Sequence, residues 1–294
     1  MTVLLALLVE WRVGDSVGGL HPVAIFGRFA GWIEQRLHRN TRAAGGFAWL
    51  VAVGTATILV LCLLAIASRV NLSWAAGAIV LWATLGWRSL LEHATAVNEA
   101  PNLDAARTAV ARIVGRDVDA MSRVDVRRAT LESLAENASD AVVAPLFWAA
   151  IGGPLAAAAY RWINTLDAMW GHHSPRYEHF GWAAARADDL ASWVPARLTA
   201  ALFLLMARCW PEAAWRAQAA AHASPNAGWP EAAMAHGLRV RLGGPVMRRG
   251  QQDHRPWMGP AEAPEPGDAS VKAGLRLTHR ALLAAGALAV IACR

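Results

Sequence analysis

Lysine is almost absent from this chain: Lys272 is the only one in 294 residues. The formal charge of +6 is therefore carried by arginine. Charge of either sign is scarce, at 17% of residues, where an ordinary soluble domain has roughly a quarter. Hydrophobic residues make up 55%. The three cysteines, Cys62, Cys209 and Cys293, each sit in an apolar run and none is spaced C-x-x-C. That pattern argues against structural zinc and against a disulfide framework. Neither glycine-rich nucleotide loop, G-x-x-x-x-G-K-[ST] or G-x-G-x-x-G, occurs, so a nucleotide would have to be held in another way. The arginines are dispersed and lack interleaved aromatics, which excludes a nucleic-acid surface. With no basic region before the first apolar run, and Glu10 interrupting it, no cleavable signal peptide is expected.

What the chain does have is lipid-length apolar sequence. Residues 47–67 carry no charge and are long enough to span a bilayer. A short turn at 68–71 leads into 72–87, which predicts a membrane hairpin with Trp74, Trp82 and Trp87 in or near the interfacial belts. Residues 2–20, 141–160, 198–210 and 281–292 are further candidates for spans or half-helices. Pro145 and Gly152-Gly153-Pro154 interrupt 141–160, as in a discontinuous or re-entrant helix. The arginine-rich segments 28–42 and 88–140 lie on one side of the hairpin, the cytoplasmic side by the positive-inside rule. Residues 29–42 predict an amphipathic surface helix, and Asn102 a helix cap. Residues 251–270 read as a loose loop. No fixed-period repeat is present. The predicted fold is all-α: a polytopic helical membrane protein, one integral membrane domain over 1–294, with broken helices and amphipathic cytoplasmic helices.

The densest polar signal flanks residues 141–160. Glu132, Glu136 and Asp140 recur at i, i+4, i+8, one stripe of a helix, where like charges repel unless something cationic faces them. Asn137 lies beside the stripe. Carboxylates one turn apart suit a hard cation such as magnesium; the alternative is a solvated face, or pairing with Arg127 and Arg128. Asn164 and Asp167, at i, i+3, follow the apolar run and serve as ligands or as caps. Asp188 and Asp189, with Arg186 and Arg197, hold a second cation or balance charge. His21-Pro22 is either a site element or a plain turn. His172, His173, His179 and His222 match no zinc spacing, which favours surface or packing roles. The segment from Pro225 through Asn226, Trp229 and Pro230 to Glu231 is a substrate loop or a rigid connector.

Four ordered stretches carry a resemblance: HPVAIFGR at 21–28, LAENASDAVVAPLFWAAIGGPLAAAAYRWINTLDAMWGH at 134–172, YEHFGWAAARADDLASWVPARLTA at 177–200, and SPNAGWPEAAMAHGLRVRLGGP at 224–245. Together they resemble the adenosylcobinamide-phosphate synthase family, the CobD/CbiB-type membrane proteins of cobalamin biosynthesis. Ala141 stands where that family often has glycine, and 246–270 diverges. The resemblance implies an inner-membrane enzyme that joins a corrinoid propionate of adenosylcobyric acid to (R)-1-amino-2-propanol or its O-phosphate. Activating a carboxylate for amide formation implies ATP with Mg2+. Other late enzymes of the cobalamin pathway are the expected protein partners.

On that resemblance, Glu136, Asn137, Asp140, Asn164 and Asp167 are expected to form a metal and phosphate centre. Asp188 and Asp189 would support it, or one would act as base toward the amine. Arg197, His21 and the loop with Asn226, Trp229 and Glu231 would bind substrate. Two rival classes are a polytopic transporter and a non-catalytic membrane subunit of a corrinoid-processing complex.

Overall fold

The computed structural model describes residues 1–14, 21–172, 174–210, 214–248 and 250–293. Asp15, Gly18, Gly19 and His173, which fall in segments singled out above, lie outside the described residues. Among the described residues the chain is almost wholly helical, with four strands of two or three residues. Four helical stretches are long and apolar enough to cross a membrane: Arg42–Arg69, Ser73–Asn98, Arg123–Trp170 and Asp268–Ala292. The bent pair Trp182–Ala191 and Trp193–Ala207 makes a fifth when taken as one span. The fold is an all-α polytopic membrane protein.

The chain divides into two compact units. The first comprises Met1–Gly86, Asp140–Ser192 and Gly286–Arg294. It contains α1 (Thr2–Val13), α2 (Pro22–Leu37), α3 (Arg42–Arg69), α4 (Ser73–Trp82), α8 (Ala144–Trp170) and α9 (Trp182–Ala191). The expected span 47–67 lies inside α3, which is apolar on every face and leaves Ile58, Leu59, Leu63 and Ile66 exposed. A helix apolar all round yet little buried by protein has lipid as its remaining apolar surrounding. The expected arm 72–87 is the ten-residue α4, a four-residue break, and the start of α5 (Trp87–Asn98). At that break Thr84 Oγ1 turns back to the Leu81 carbonyl at 2.7 Å.

His21 ends the loop before α2 as its N-cap: Nδ1 accepts from Val23 N at 3.3 Å, and Pro22 takes the first helical position. Proline fits there because that amide has no intrahelical partner. α2 ends at Leu37, short of the expected 42. Glu34 Oε1 then accepts from Tyr177 Oη and Arg176 Nη2, both at 2.8 Å, which ties 175–177 to α2. A π-helical turn, Ser139–Val143, precedes α8. The interruption expected in 141–160 is a break inside α8, where Gly153 has φ 68 and Gly152 is also non-helical. Only glycine adopts that first conformation without a Cβ penalty, and Pro154 then restarts the helix.

The second unit comprises Trp87–Ser139 and Trp193–Ala285. It contains α5, α6 (Leu103–Val110), α7 (Arg123–Ala138), α10 (Trp193–Ala207), α11 (Ala214–Ala220), α12 (Gly228–Leu238) and most of α13 (Asp268–Ala292). Asn102 caps α6 as the sequence predicts, accepting from Ala105 N at 2.9 Å. Ser122 and Asp125 form a capping box on α7. α12 packs on α7, α10 and α11. Strands β1 (Leu242–Gly243) and β4 (Trp257–Met258) pair antiparallel, as do β2 (Val246–Arg248) and β3 (Gln251–Asp253). Part of the expected loose loop at 251–270 is therefore hydrogen-bonded hairpin. Its order comes from pairing with 242–248, which local composition does not report.

Gly45 of α3 lets the Phe180 carbonyl touch the helix: an added Cβ would stand 1.9 Å from that oxygen. Gly45→Ala is expected to cost about 3 kcal/mol through forced backbone displacement. A thermal melt of the detergent-solubilised chain, lowered relative to wild type, is the check.

Candidate functional site

In the first unit the polar residues converge on Asp188. Asn164 Nδ2 donates to Asp188 Oδ1 at 3.2 Å, and Ser192 Oγ lies 3.5 Å from Oδ2. Arg161 Nη1 stands 3.4 Å from Asn164 Oδ1, so the amide presents its oxygen to arginine and its nitrogen to the acid. Asp167, one turn beyond Asn164 on α8, acts on Asp188 as a like charge, as does Asp189. The Tyr160 hydroxyl lies 3.2 Å from Ser192 Oγ and feels both Asp140 and Asp188. Asp140 itself sits in the π-helical turn, a distortion that recurs at functional sites. The turn frees the Ala141 carbonyl, which accepts from Gly86 N at 3.0 Å. Asp189 pairs with Arg186 at 3.3 Å, the charge balance foreseen for it.

A second cluster stands on α7 and α12 of the second unit. Glu132 is 1% exposed and pairs with Arg116, while Gly243 N donates to its Oε1 at 2.7 Å. Arg127 and Arg128, the partners suggested by proximity in sequence, bind elsewhere: Arg127 to Asp268, Arg128 to Asp125 and Glu265. Glu231 opens α12 and is 2% exposed. Burial pushes its carboxyl well above the ordinary range; the charges of Glu132 and Glu136 add to this, and Arg116 and Arg255 oppose it. His222 Nε2 lies 3.9 Å from Glu231 Oε2, beyond hydrogen-bond length. His222 Nδ1 accepts from Ser224 N at 3.0 Å, which assigns the proton of the neutral ring to Nε2. Burial, then the charge of Arg255, lowers the pKa of this imidazole.

Arg197 joins α10 to the 225–231 loop. Its guanidinium carbon lies 4.1 Å from the Trp193 ring centroid and 4.5 Å from that of Trp229. Its Nη1 donates to the Trp193 carbonyl at 2.7 Å and reaches Asn226 Oδ1 at 3.4 Å. Gly228 lets the start of α12 lie against the end of α11, since an added Cβ would fall 2.3 Å from the Ala219 carbonyl.

The residues expected at one centre thus divide between the units. Asp140, Asn164, Asp167, Asp188 and Asp189 belong to the first, with His21 as a helix cap. Glu136, Asn137, Arg197, Asn226, Trp229 and Glu231 belong to the second. Asn137 Nδ2 donates back along α7 to the Ser133 carbonyl at 2.9 Å.

A family model described as CobD/Cbib protein matches residues 3–278. The chain belongs to the CobD/CbiB family. It is 42% identical over 273 residues to Cobalamin biosynthesis protein CobD of Rhodobacter capsulatus, covering 89% of this chain and 86% of the relative. The protein of the same name from Mycobacterium tuberculosis is 42% identical over 280 residues, covering 90% and 87%. That from Chromobacterium violaceum is 38% identical over 305 residues, covering 98% and 95%. No solved structure matches the chain. This CobD/CbiB chain is a cobalamin biosynthesis protein of the membrane.

Among the described residues no three His, Cys, Asp or Glu side chains converge as a metal cage. Asp167 on α8 and Asp188 on α9 offer a smaller set of hard oxygen donors, with the Asn164 amide nitrogen holding Asp188. Magnesium is commonly held by one or two carboxylates plus phosphate oxygens and water, and this set fits that use. Sequence spacing missed Arg116 and Arg255. Arg116 lies 16 positions before its partner, beyond any helical rule, and His222 takes the packed one of the two roles weighed for it.

Arg116→Met is expected to destabilise the chain by about 3–5 kcal/mol, because it strands a buried carboxylate. Arg116→Met/Glu132→Gln should recover most of that in the same thermal melt. A second expectation concerns Glu231. A carboxyl whose folded pKa is raised favours the fold fully below its ordinary value of 4.5, and that contribution is lost as pH rises through the folded value. Glu231→Gln should therefore melt above wild type at pH 8, with the difference closing as pH falls toward 4.5.

Proposed function

We propose that the chain is an ATP- and magnesium-dependent amide-forming synthase of the adenosylcobinamide-phosphate type. It would join adenosylcobyric acid to (R)-1-amino-2-propanol or its O-phosphate. The observation that carries this reading is the convergence of Asn164, Asp167 and Asp188, from two family-matching stretches, on one polar site. Phosphoryl transfer from ATP would convert the corrinoid carboxylate to an acyl phosphate. Attack by the amine would then form the C–N bond, expel phosphate and release one proton. Magnesium, when bound, would supply charge neutralisation of the phosphates. Asp167 and Asp188 would hold it, with Asp140 nearby and Asn164 orienting Asp188. Asp188 would also serve as proton acceptor once the amine attacks. Arg161 would stand at the phosphate side, since arginine binds phosphate by a fork of donors. The arginine-rich segments 28–42 and 88–140 support a site on the cytoplasmic side of the inner membrane.

The test uses purified chain in detergent with adenosylcobyric acid, 1-amino-2-propanol or its phosphate, ATP and magnesium. Product formation supports the synthase. Transport by reconstituted vesicles without product would replace it with the transporter, and neither activity would leave a non-catalytic subunit. Asp167→Ala and Asp188→Ala should each lower product formation by at least about a hundredfold while membrane insertion is unchanged. Full activity in both variants would overturn the assignment.

A further inference from the structure

We propose that the second unit holds the amine subsite: a pocket of α7, α12 and the 222–226 turn that binds a vicinal amino alcohol. Glu231 would take the ammonium group and His222 Nε2–H the neighbouring oxygen. The inference rests on the synthase reading for the identity of the ligand, and on geometry for the site.

Arg116 is committed to Glu132, and Arg255 to Asp253 at 3.2 Å. Among the described residues Glu231 has no ion pair of hydrogen-bonding length, its nearest partner being His222 at 3.9 Å. With Glu132, Glu136, Glu231 and Asp253 set against Arg116 and Arg255, the cluster carries two net negative charges when ionised, carried by Glu231 and Glu136 once the two pairs cancel. A cation at Glu231 is the electrostatic complement. A buried carboxylate is costly unless it is paired and hydrogen-bonded, so an ammonium ion that donates to Glu231 supplies what the fold does not.

The second observation is independent of the acids. The His222 side chain is 6% exposed, and its Nε2 has no hydrogen-bond partner among the described residues. Ser224 N holds Nδ1 at 3.0 Å, so the ring is fixed with Nε2 directed at the Glu231 carboxylate. A buried N–H without an acceptor costs the full desolvation of that group. A ligand oxygen beside the bound ammonium satisfies it. The pairing of one acceptor with one donor, 3.9 Å apart, matches an amine and an oxygen on adjacent carbons better than a simple alkylamine or a diol. Glu136, one turn beyond Glu132 and exposed, acts on Glu231 as a like charge and so adds attraction for the cation.

The experiment is a calorimetric titration of full-length detergent-solubilised chain, without ATP or corrinoid. The probes are 1-amino-2-propanol, isopropylamine and 1,2-propanediol. Wild type should bind the amino alcohol, bind isopropylamine about tenfold more weakly, and bind the diol at least about a hundredfold more weakly. Glu231→Gln should lose at least about thirtyfold, and His222→Phe should bind amine and amino alcohol alike. Glu136→Gln, at an exposed position, should lose about threefold through weaker attraction, and serves if a buried variant does not fold. No binding by wild type, equal binding of the diol, or wild-type affinity in Glu231→Gln would overturn the subsite. Tight binding by a chain that forms no amide would overturn the reaction and leave the subsite standing. An unchanged KM for the amine in an active Glu231→Gln chain would do the reverse.

Discussion

A carboxylate withdrawn from water has to be answered by a cation or by donors at hydrogen-bond distance. That constraint shapes the second unit. Glu132 is answered twice, by Arg116 and by the Gly243 amide, and these two contacts draw the 111–118 segment and β1 onto α7. Glu231 is answered only at a distance, by Arg116, Arg255 and His222. The difference separates an acid held by the fold from the one we propose takes a ligand. In the first unit Asp188 takes an intermediate course: neutral donors, Asn164 and Ser192, hold it while Asp167 repels it. Such pairs of environments, which set like groups apart, are how sites assign roles to chemically similar side chains.

Arginine suits this scheme in a way that lysine would not. Arg116 donates from Nη2 to Glu132, Arg128 divides its donors between Asp125 and Glu265, and Arg197 lies between two indoles while donating to Trp193 and Asn226. Each use needs a flat group with several donors and a weakly hydrated face. The near absence of lysine is thus accompanied by arginines that act as struts.

Local rules reached far along this chain. The α3 span follows from an uncharged apolar run, the α2 start from His21-Pro22, the α6 cap from Asn102, and the α8 break from two glycines before a proline. The Asp189–Arg186 balance at i, i+3 was legible too. What spacing did not reveal is tertiary. Asn164 meets Asp188 across 24 positions, Arg116 meets Glu132 across 16, and His222 is buried because α11 and α12 close over it. The helical stripe through Glu132, Glu136 and Asp140 assumed one uninterrupted α-helix. The π turn at Ser139–Val143 breaks that assumption at the third acid.

That turn has a consequence for chain length. A π turn is an α-helix with one residue too many. Removing any single residue from 139–143 would let regular helical hydrogen bonding run on and would take the Ala141 carbonyl away from Gly86 N. The spare residue frees that acceptor, so this stretch tolerates exchanges of residue type far better than a change in its number.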